Sequence, residues 1–389
     1  IVRDVEGLAP GIYFYQPHDH ALALLERHDG TLEPSEFMRR SIPAYGEELP
    51  RVLLLLTGAF HRLASKYGIF GYRLAQMDAG VAQSQIHMNA GALGLGSRTE
   101  TRWCDEVIAE QLNLEPLHEQ VTGVIAIGGI PVAGSAGVNG SRGTARPDRR
   151  RAAEFSGVTS QCALEMVFQE SRTTALTLPP PAAFHHEHGC VSDGARDVPL
   201  PAALRGGRLL GEIMSGRASV RHYNGDEISL EQTATMLENA YRMDAHDWPA
   251  EPDLSLCVLA SRVRGLAPSV YRYDGEKHRL IEIGALPERD RLEAIFVQPE
   301  FASAPAIVWI AGNLQDACSH YGSWGHRMLL LRAGAAGNRM WMSAMGMGLV
   351  GCLVAGIVPE AARHVFAVDG YRQASLMAYA TGHGNQPVR

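Results

Sequence analysis

The order of residues between Gly7 and Leu95 returns about 255 positions later in the same chain. Gly7-Leu8-Ala9-Pro10, then Tyr13, Tyr15 and His20, comes back as Gly265-Leu266-Ala267-Pro268, Tyr271, Tyr273 and His278. Tyr67-Gly68, Arg73, Ala79-Gly80 and Leu93-Gly94-Leu95 come back as Tyr321-Gly322, Arg327, Ala333-Gly334 and Met347-Gly348-Leu349, with a shift of about four residues between the two blocks. Solenoid units repeat every 20–50 residues or so, roughly, so a repeat this long reads as a duplicated domain. Function is then to be sought where two related halves meet, and each half can be read against the other. Leu209–Arg264, ahead of the second Gly-Leu-Ala-Pro, has no counterpart ahead of the first. A segment missing ahead of Ile1 is the expectation.

A length of 389 residues predicts two or three domains. Hydrophobic content of 46% against 20% charged gives enough apolar surface for large cores. A formal net charge of −7 argues against bulk affinity for nucleic acid or an anionic membrane. The longest apolar runs, such as Val52–Leu56 and Ala306–Ala311, are too short to span a bilayer, and no signal peptide is visible. Six cysteines without a CxxC pair read as reduced thiols of a cytoplasmic protein.

Val2–Tyr15 and Leu256–Tyr273 read as strand, turn, strand. Val52–Leu56 and Ala306–Ile310 suit buried strands or helix starts. Leu74, Met77, Val81, Met88, Ala92 and Leu95 recur at helical spacing, predicting a central buried helix over Tyr72–Leu95. His326–Leu349 is its twin. Gly94 and Gly96 should end the first helix, Gly348 and Gly351 the second. A short amphipathic helix and a strand should follow each, the strands at Val121–Ile127 and Ser375–Ala380. The expected division is a first repeat over 1–130, a linker over 131–205 and a second repeat over 206–389. The linker holds Gly and Arg in Gly134–Arg151, then Pro179-Pro180-Pro181, although Cys162–Phe168 is apolar enough for a covering helix.

Arg217-Ala-Ser219-Val-Arg221-His-Tyr223 is the strongest chemical signal. In an extended segment its two arginines and serine lie on one side. Such a set suits a phosphate, and an arginine can face an electron-rich carbonyl. On its own the same pattern also fits a solvated basic strand.

The running order Arg-x-Ser-x-Arg, helix, strand, Gly-Leu-Ala-Pro-x-x-Tyr-x-Tyr, Tyr-Gly, Arg, Ala-Gly and Gly-Leu resembles the nitroreductase-like flavoprotein family. Tyr72-Arg73, Asp78-Ala79-Gly80 and Ala92–Gly96 are similar to its SagB/ThcOx type, which oxidises thiazolines and oxazolines in peptide natural products. The resemblance spans about residues 1–130 and 206–389. It implies an α+β nitroreductase fold, with the two tandem repeats forming an intrachain pseudo-dimer and FMN as cofactor. It implies that Arg217, Ser219 and Arg221 bind the FMN phosphate, ribityl chain and pyrimidine edge, an arginine there stabilising the anionic reduced flavin. The turn Leu353-Val354-Ala355-Gly356 would lie along the ring system, with Gly356 allowing close approach. Arg389 stands where the family often places a second phosphate ligand.

The halves diverge at this site. The first repeat has Thr101-Arg102 at the register of Ala355-Gly356 and no Arg-x-Ser-x-Arg. The second carries Met243–Pro249 in place of the family's Pro-Ser-x-Gly loop. Both losses fall on one of two expected sites, so one FMN per chain is expected.

Lys66-Tyr67 matches an adjacent Lys-Tyr pair of the azoline dehydrogenases, where the second repeat has His320-Tyr321. Hydride leaves one ring carbon for the flavin while a base takes a proton from its neighbour. A buried lysine near arginines can be that base, and a tyrosine can relay the proton. A surface lysine beside a packed tyrosine is the plain alternative.

Other motifs carry less. His185-His186-Glu187-His188 with Cys190 matches no defined zinc spacing, and no metal is expected. Gly134, Gly137 and Gly140 lack the Lys-Ser/Thr of a phosphate loop. Arg146, Arg149, Arg150 and Arg151 suit a solvated linker, and Met340, Met342, Met345 and Met347 suit core. The expected activity is FMN-dependent oxidation of an azoline ring in a peptide or peptidyl substrate, with dioxygen reoxidising the flavin and a cyclodehydratase or carrier protein as partner. An NAD(P)H-dependent nitro- or quinone reductase and a flavin-less peptide-binding scaffold are the alternatives.

Overall fold

In the computed structural model the described residues are 1–25, 32–115, 118–129, 167, 196–248, 254–366 and 368–384. Contacts divide the chain into two units, Ile1–Gln76 with His87–Pro181 and Met77–Ile86 with Ala182–Arg389.

The first unit opens with a hairpin of β1 (Tyr13–Gln16) and β2 (Ala21–Leu24). Then come α1 (Pro34–Ser41), β3 (Val52–Gly58), α2 (Phe60–Tyr67) and α3 (Phe70–Ala92), the middle of which belongs to the second unit. β4 (Ser97–Thr99), α4 (Asp105–Leu112) and β5 (Gln120–Ile127) complete it. β5 lies between β3 and β4 in an antiparallel sheet. Its residues are buried from Gln120 to Ala126, as a central strand paired on both edges requires.

The second unit contains β6 (Asp197–Pro199), α5 (Leu210–Ser215), β7 (Ile228–Ser229), α6 (Leu230–Asp247), β8 (Leu254–Ala260), β9 (Val263–Arg264), β10 (Ser269–Asp274) and β11 (Arg279–Ala285). It continues through α7 (Arg289–Glu293), β12 (Ala306–Asn313), α8 (Leu314–Tyr321), α9 (Ser323–Gly346), β13 (Val350–Val354), α10 (Pro359–Phe366) and β14 (Gln373–Gly382). Seven strands form one antiparallel sheet in the order β13-β14-β12-β8-β10-β11-β6. Ser229 caps α6 by accepting from the Gln232 amide, and the Gln232 side chain accepts the Ser229 N–H in return. Trp309 on β12 is fully buried and stacks on Phe366 at 4.1 Å. Emptying its site would cost about 3–5 kcal/mol.

α9 is buried nearly all round, including Arg327, Arg332, Asn338 and Arg339. Within the second unit it meets the middle of α3 backbone to backbone. A Cβ on Gly80 would overlap the Leu331 carbonyl, and one on Gly334 the Met77 carbonyl. Asn338 accepts from Gln85 and donates to Ser84 across this crossing.

Local geometry repeats between the units wherever the sequence repeats. Tyr13 Oη donates to the Ala9 carbonyl at 2.8 Å, and Tyr271 Oη to that of Ala267 at 2.8 Å. Tyr15 and His20 are 3.0 Å apart at Oη and Nδ1, Tyr273 and His278 2.9 Å, and both histidines have φ of 48°. α2 and α8 end on Gly68 and Gly322 at φ 56° and 57°. The bulge of β3 after Leu56 returns in β12 after Ile310.

Two expectations need correction. The buried face of α3 is not the apolar stripe. Of the stripe only Met77 is buried; Leu74, Val81 and Met88 are half-buried and Ala92 and Leu95 exposed, whereas Ala75, Gln76, Ala79, Gly80, Gln83 and Ser84 are buried. The close crossing at Gly80 leaves room for small and hydrogen-bonding side chains, not for a leucine stripe. Gly351 does not end α9; Gly348 does, at φ 79°, and Gly351 lies inside β13. Met243–Asp247 forms the last turn of α6. The glycine-rich, proline-rich and histidine-rich motifs of 131–195 lie outside the described residues.

Candidate functional site

The Arg217–Tyr223 segment leaves α5 through Gly216 and runs extended. Ser219 bridges Gly351 of β13 in parallel sense, and the Val220 N–H donates to the Gly351 carbonyl at 3.0 Å. Gly351 is needed there, since a Cβ would stand 2.5 Å from Tyr379 Oη and 2.6 Å from the Ala380 carbonyl. Tyr223 pins the far end by donating to the carbonyls of Val220 (3.2 Å) and Ala380 (3.0 Å). Burial pushes its phenol well above the ordinary range, so it stays a donor.

Arg217, Ser219 and Arg221 stand at alternate positions of this segment, and all three are exposed. Among the described residues none of these three side chains makes a hydrogen bond or ion pair. The nearest carboxylate in sequence with a strong partner, Glu227, is taken by Arg264 at 2.6 Å. The Arg217 guanidinium lies 4.6 Å over the ring of Trp341. Two uncommitted guanidiniums and a hydroxyl at alternate positions fit a phosphate or another oxyanion, which forms its strongest hydrogen bonds with charged donors.

The sequence reading makes Leu353–Gly356 a turn. Leu353 and Val354 instead belong to β13 and pair with Tyr379 and Ala378 of β14, because β14 offers a full edge beyond its pairing with β12. Ala355 and Gly356 follow the strand. The Gly356 carbonyl accepts the Val297 N–H at 3.0 Å, and a Cβ on Gly356 would be 3.3 Å from the Val297 side chain. The close approach that Gly356 permits in the structure is therefore to Val297. β13 still carries Leu353 two residues beyond Gly351, so it shares a strand with the partner of Ser219. Arg389 lies outside the described residues.

In the first unit the registers of Trp341, Gly351 and Leu353 hold His87, Ser97 and Thr99. His87 Nδ1 is 2.7 Å from Ser97 Oγ and Nε2 2.9 Å from Thr99 Oγ1. Arg98 and Tyr45 both donate to Glu100. Where the second unit presents open donors, the first closes its polar groups on one another.

Lys66 and Tyr67 form the last turn of α2, with Lys66 Nζ 4.8 Å from the Tyr67 ring centroid. The buried lysine expected from sequence is instead exposed, and Tyr67 is 41% exposed, because α2 turns only Phe60 fully into the core. Their counterparts differ: Tyr321 is buried at 5% exposure, and His320 is exposed with Nδ1 2.8 Å from the Asp316 carbonyl. Sequence reasoning missed Trp341 and Gly351. A tryptophan within a helix of glycine, alanine and methionine was the signal for the first, and the Gly351/Ser97 difference between halves for the second.

Residues 214–383 match the family model described as the nitroreductase family. A protein of Methanocaldococcus jannaschii named as a nitroreductase is 24% identical over 174 residues, which cover 42% of this chain and 86% of the relative. A crystal structure of an Anabaena variabilis protein, also described as a nitroreductase, superposes with a TM-score of 0.80 at 20% identity over 99% of this chain and 79% of that one. The chain thus has the nitroreductase fold, and residues 214–383 are similar to the nitroreductase family.

Proposed function

We propose that this protein is an FMN-dependent oxidoreductase that oxidises an azoline ring in a peptide substrate. The observation that carries the FMN assignment is the uncommitted donor set of Arg217, Ser219 and Arg221 on a segment fixed to β13. The stretch similar to the nitroreductase family contains all of that set and Leu353–Gly356 as well. Bound there, FMN would supply a two-electron acceptor. Arg217 and Arg221 neutralise anionic oxygens of the cofactor, and Ser219 donates to a third. β13, from Gly351 to Val354, gives them a fixed backing.

The paired tyrosine–histidine contacts, glycine ends and bulges support a tandem duplication, which we take to be the pseudo-dimer that the resemblance implies. The azoline specificity rests on Lys66 and Tyr67, to which we assign the base and proton-relay roles by resemblance. An exposed lysine next to an exposed phenol is accessible to substrate. A peptide substrate, with a cyclodehydratase or carrier protein as partner, belongs to the same reading. The visible spectrum of the purified protein tests the first part: a flavin spectrum is expected, with FMN released on denaturation. Colourless protein that takes up no added FMN contradicts it. Anaerobic bleaching by a thiazoline peptide, and not by NAD(P)H alone, separates the dehydrogenase from a nitro- or quinone reductase.

A further inference from the structure

We infer that Trp341 is a positioning residue of this site: the face of its indole carries the Arg217 guanidinium and sets where that cation meets the cofactor phosphate. The inference rests on the FMN reading above.

Arg217 is an exposed side chain whose guanidinium lies 4.6 Å over the Trp341 ring and makes no hydrogen bond or ion pair among the described residues. A long cation left free in water loses rotamer freedom when it binds an anion, whereas one already held on an aromatic face has lost part of it beforehand. Trp341 is suited to that task because it does not move with solvent. It is 3% exposed, on a helix buried nearly all round. Its Nε1–H has no acceptor among the described residues. The ring is therefore fixed by packing, with Tyr379 at 6.4 Å between centroids. Tyr379 also bounds Gly351, the residue that Ser219 bridges. One corner, formed by Trp341, Tyr379 and Gly351, thus sets two of the three donors. In the first unit the register of Trp341 is His87, whose ring nitrogens face Ser97 and Thr99 instead of a cation.

A double-mutant cycle read by FMN affinity tests this. FMN is titrated into flavin-stripped wild type, Trp341→Phe, Trp341→Leu, Arg217→Ala and Arg217→Ala/Trp341→Leu, with thermal melts to confirm folding. Removing the ring face should weaken FMN by about threefold to tenfold. Trp341→Phe, which keeps an aromatic face, should stay within about threefold of wild type. In the Arg217→Ala background, Trp341→Leu should add no loss, since the ring acts only through the arginine. Wild-type affinity in Trp341→Leu, losses that multiply in the double variant, or equal losses in Phe and Leu variants would each overturn the platform. Should Trp341→Leu not fold, Trp341→Met takes its place in the cycle with the same outcomes. Wild type that binds no FMN overturns the site reading itself, and the platform with it. FMN bound by wild type and weakened only by Arg217→Ala overturns the platform alone.

Discussion

Arg339 donates to Asp247 at 2.6 Å, with 5% of each side chain exposed. Two turns earlier on α9, Arg332 grips Asp244 with two hydrogen bonds of 3.0 and 2.6 Å. The end of α6 is thereby clamped to α9 by the carboxylates of Asp244 and Asp247. Burial pulls the Arg339 guanidinium below its ordinary value, and Asp247 works against that pull.

Removing one partner of such a pair leaves a buried charge alone, which costs about 3–5 kcal/mol. Asp247→Ala should lower stability by that order in urea unfolding. Asp247→Leu/Arg339→Met, which removes both charges, should lose less. Equal losses would show that the pair is not their source.

Lys66→Ala or Tyr67→Phe should slow anaerobic flavin reduction by an azoline peptide by about 10²–10⁴-fold, the range for a positioned acid or base, with FMN still bound. His320→Ala should change the rate little. Stopped-flow bleaching of the three variants decides. Loss of reduction in His320→Ala with Lys66→Ala unaffected would exchange the roles of the halves.

One FMN per chain is expected. At the first unit's registers of Trp341, Gly351 and Leu353, His87 bonds to Ser97 and Thr99, and beside them Arg98 bonds to Glu100. Released FMN measured against protein gives the ratio; two per chain would contradict it.

Cys257 is 4% exposed, and burial pushes its thiol up to about 11. Only the thiolate is nucleophilic. At pH 8 its alkylation by iodoacetamide should be negligible in the native protein, rise as pH approaches that value, and become fast in urea. Peptide mapping by mass reads this out. Native labelling at the rate of a free thiol would contradict the burial.

What was legible in the sequence was local. The Gly-Leu-Ala-Pro blocks, the Tyr-His pairs and the glycine ends depend on turn chemistry, and residues such as His20 and His278 adopt the same φ because the same neighbours surround them. Arg217, Ser219 and Arg221 were visible because alternation alone puts them together. The rest depends on tertiary neighbours. Nothing in the sequence points to the partners of Arg332 and Arg339, because Asp244 and Asp247 come from another helix. β13 was hidden because Val350–Val354 is short and becomes a strand only beside β14. The buried face of α3 was misread because a backbone crossing at Gly80, not hydrophobic volume, sets its composition.

The central claim is that Arg217 and Arg221 hold FMN, and FMN affinity of the Arg217→Ala and Arg221→Ala variants tests it most directly. Each loses a charge-assisted hydrogen bond to the cofactor, so each should bind FMN more weakly by about 1.5–3 kcal/mol. Both variants binding FMN as tightly as wild type would contradict the account.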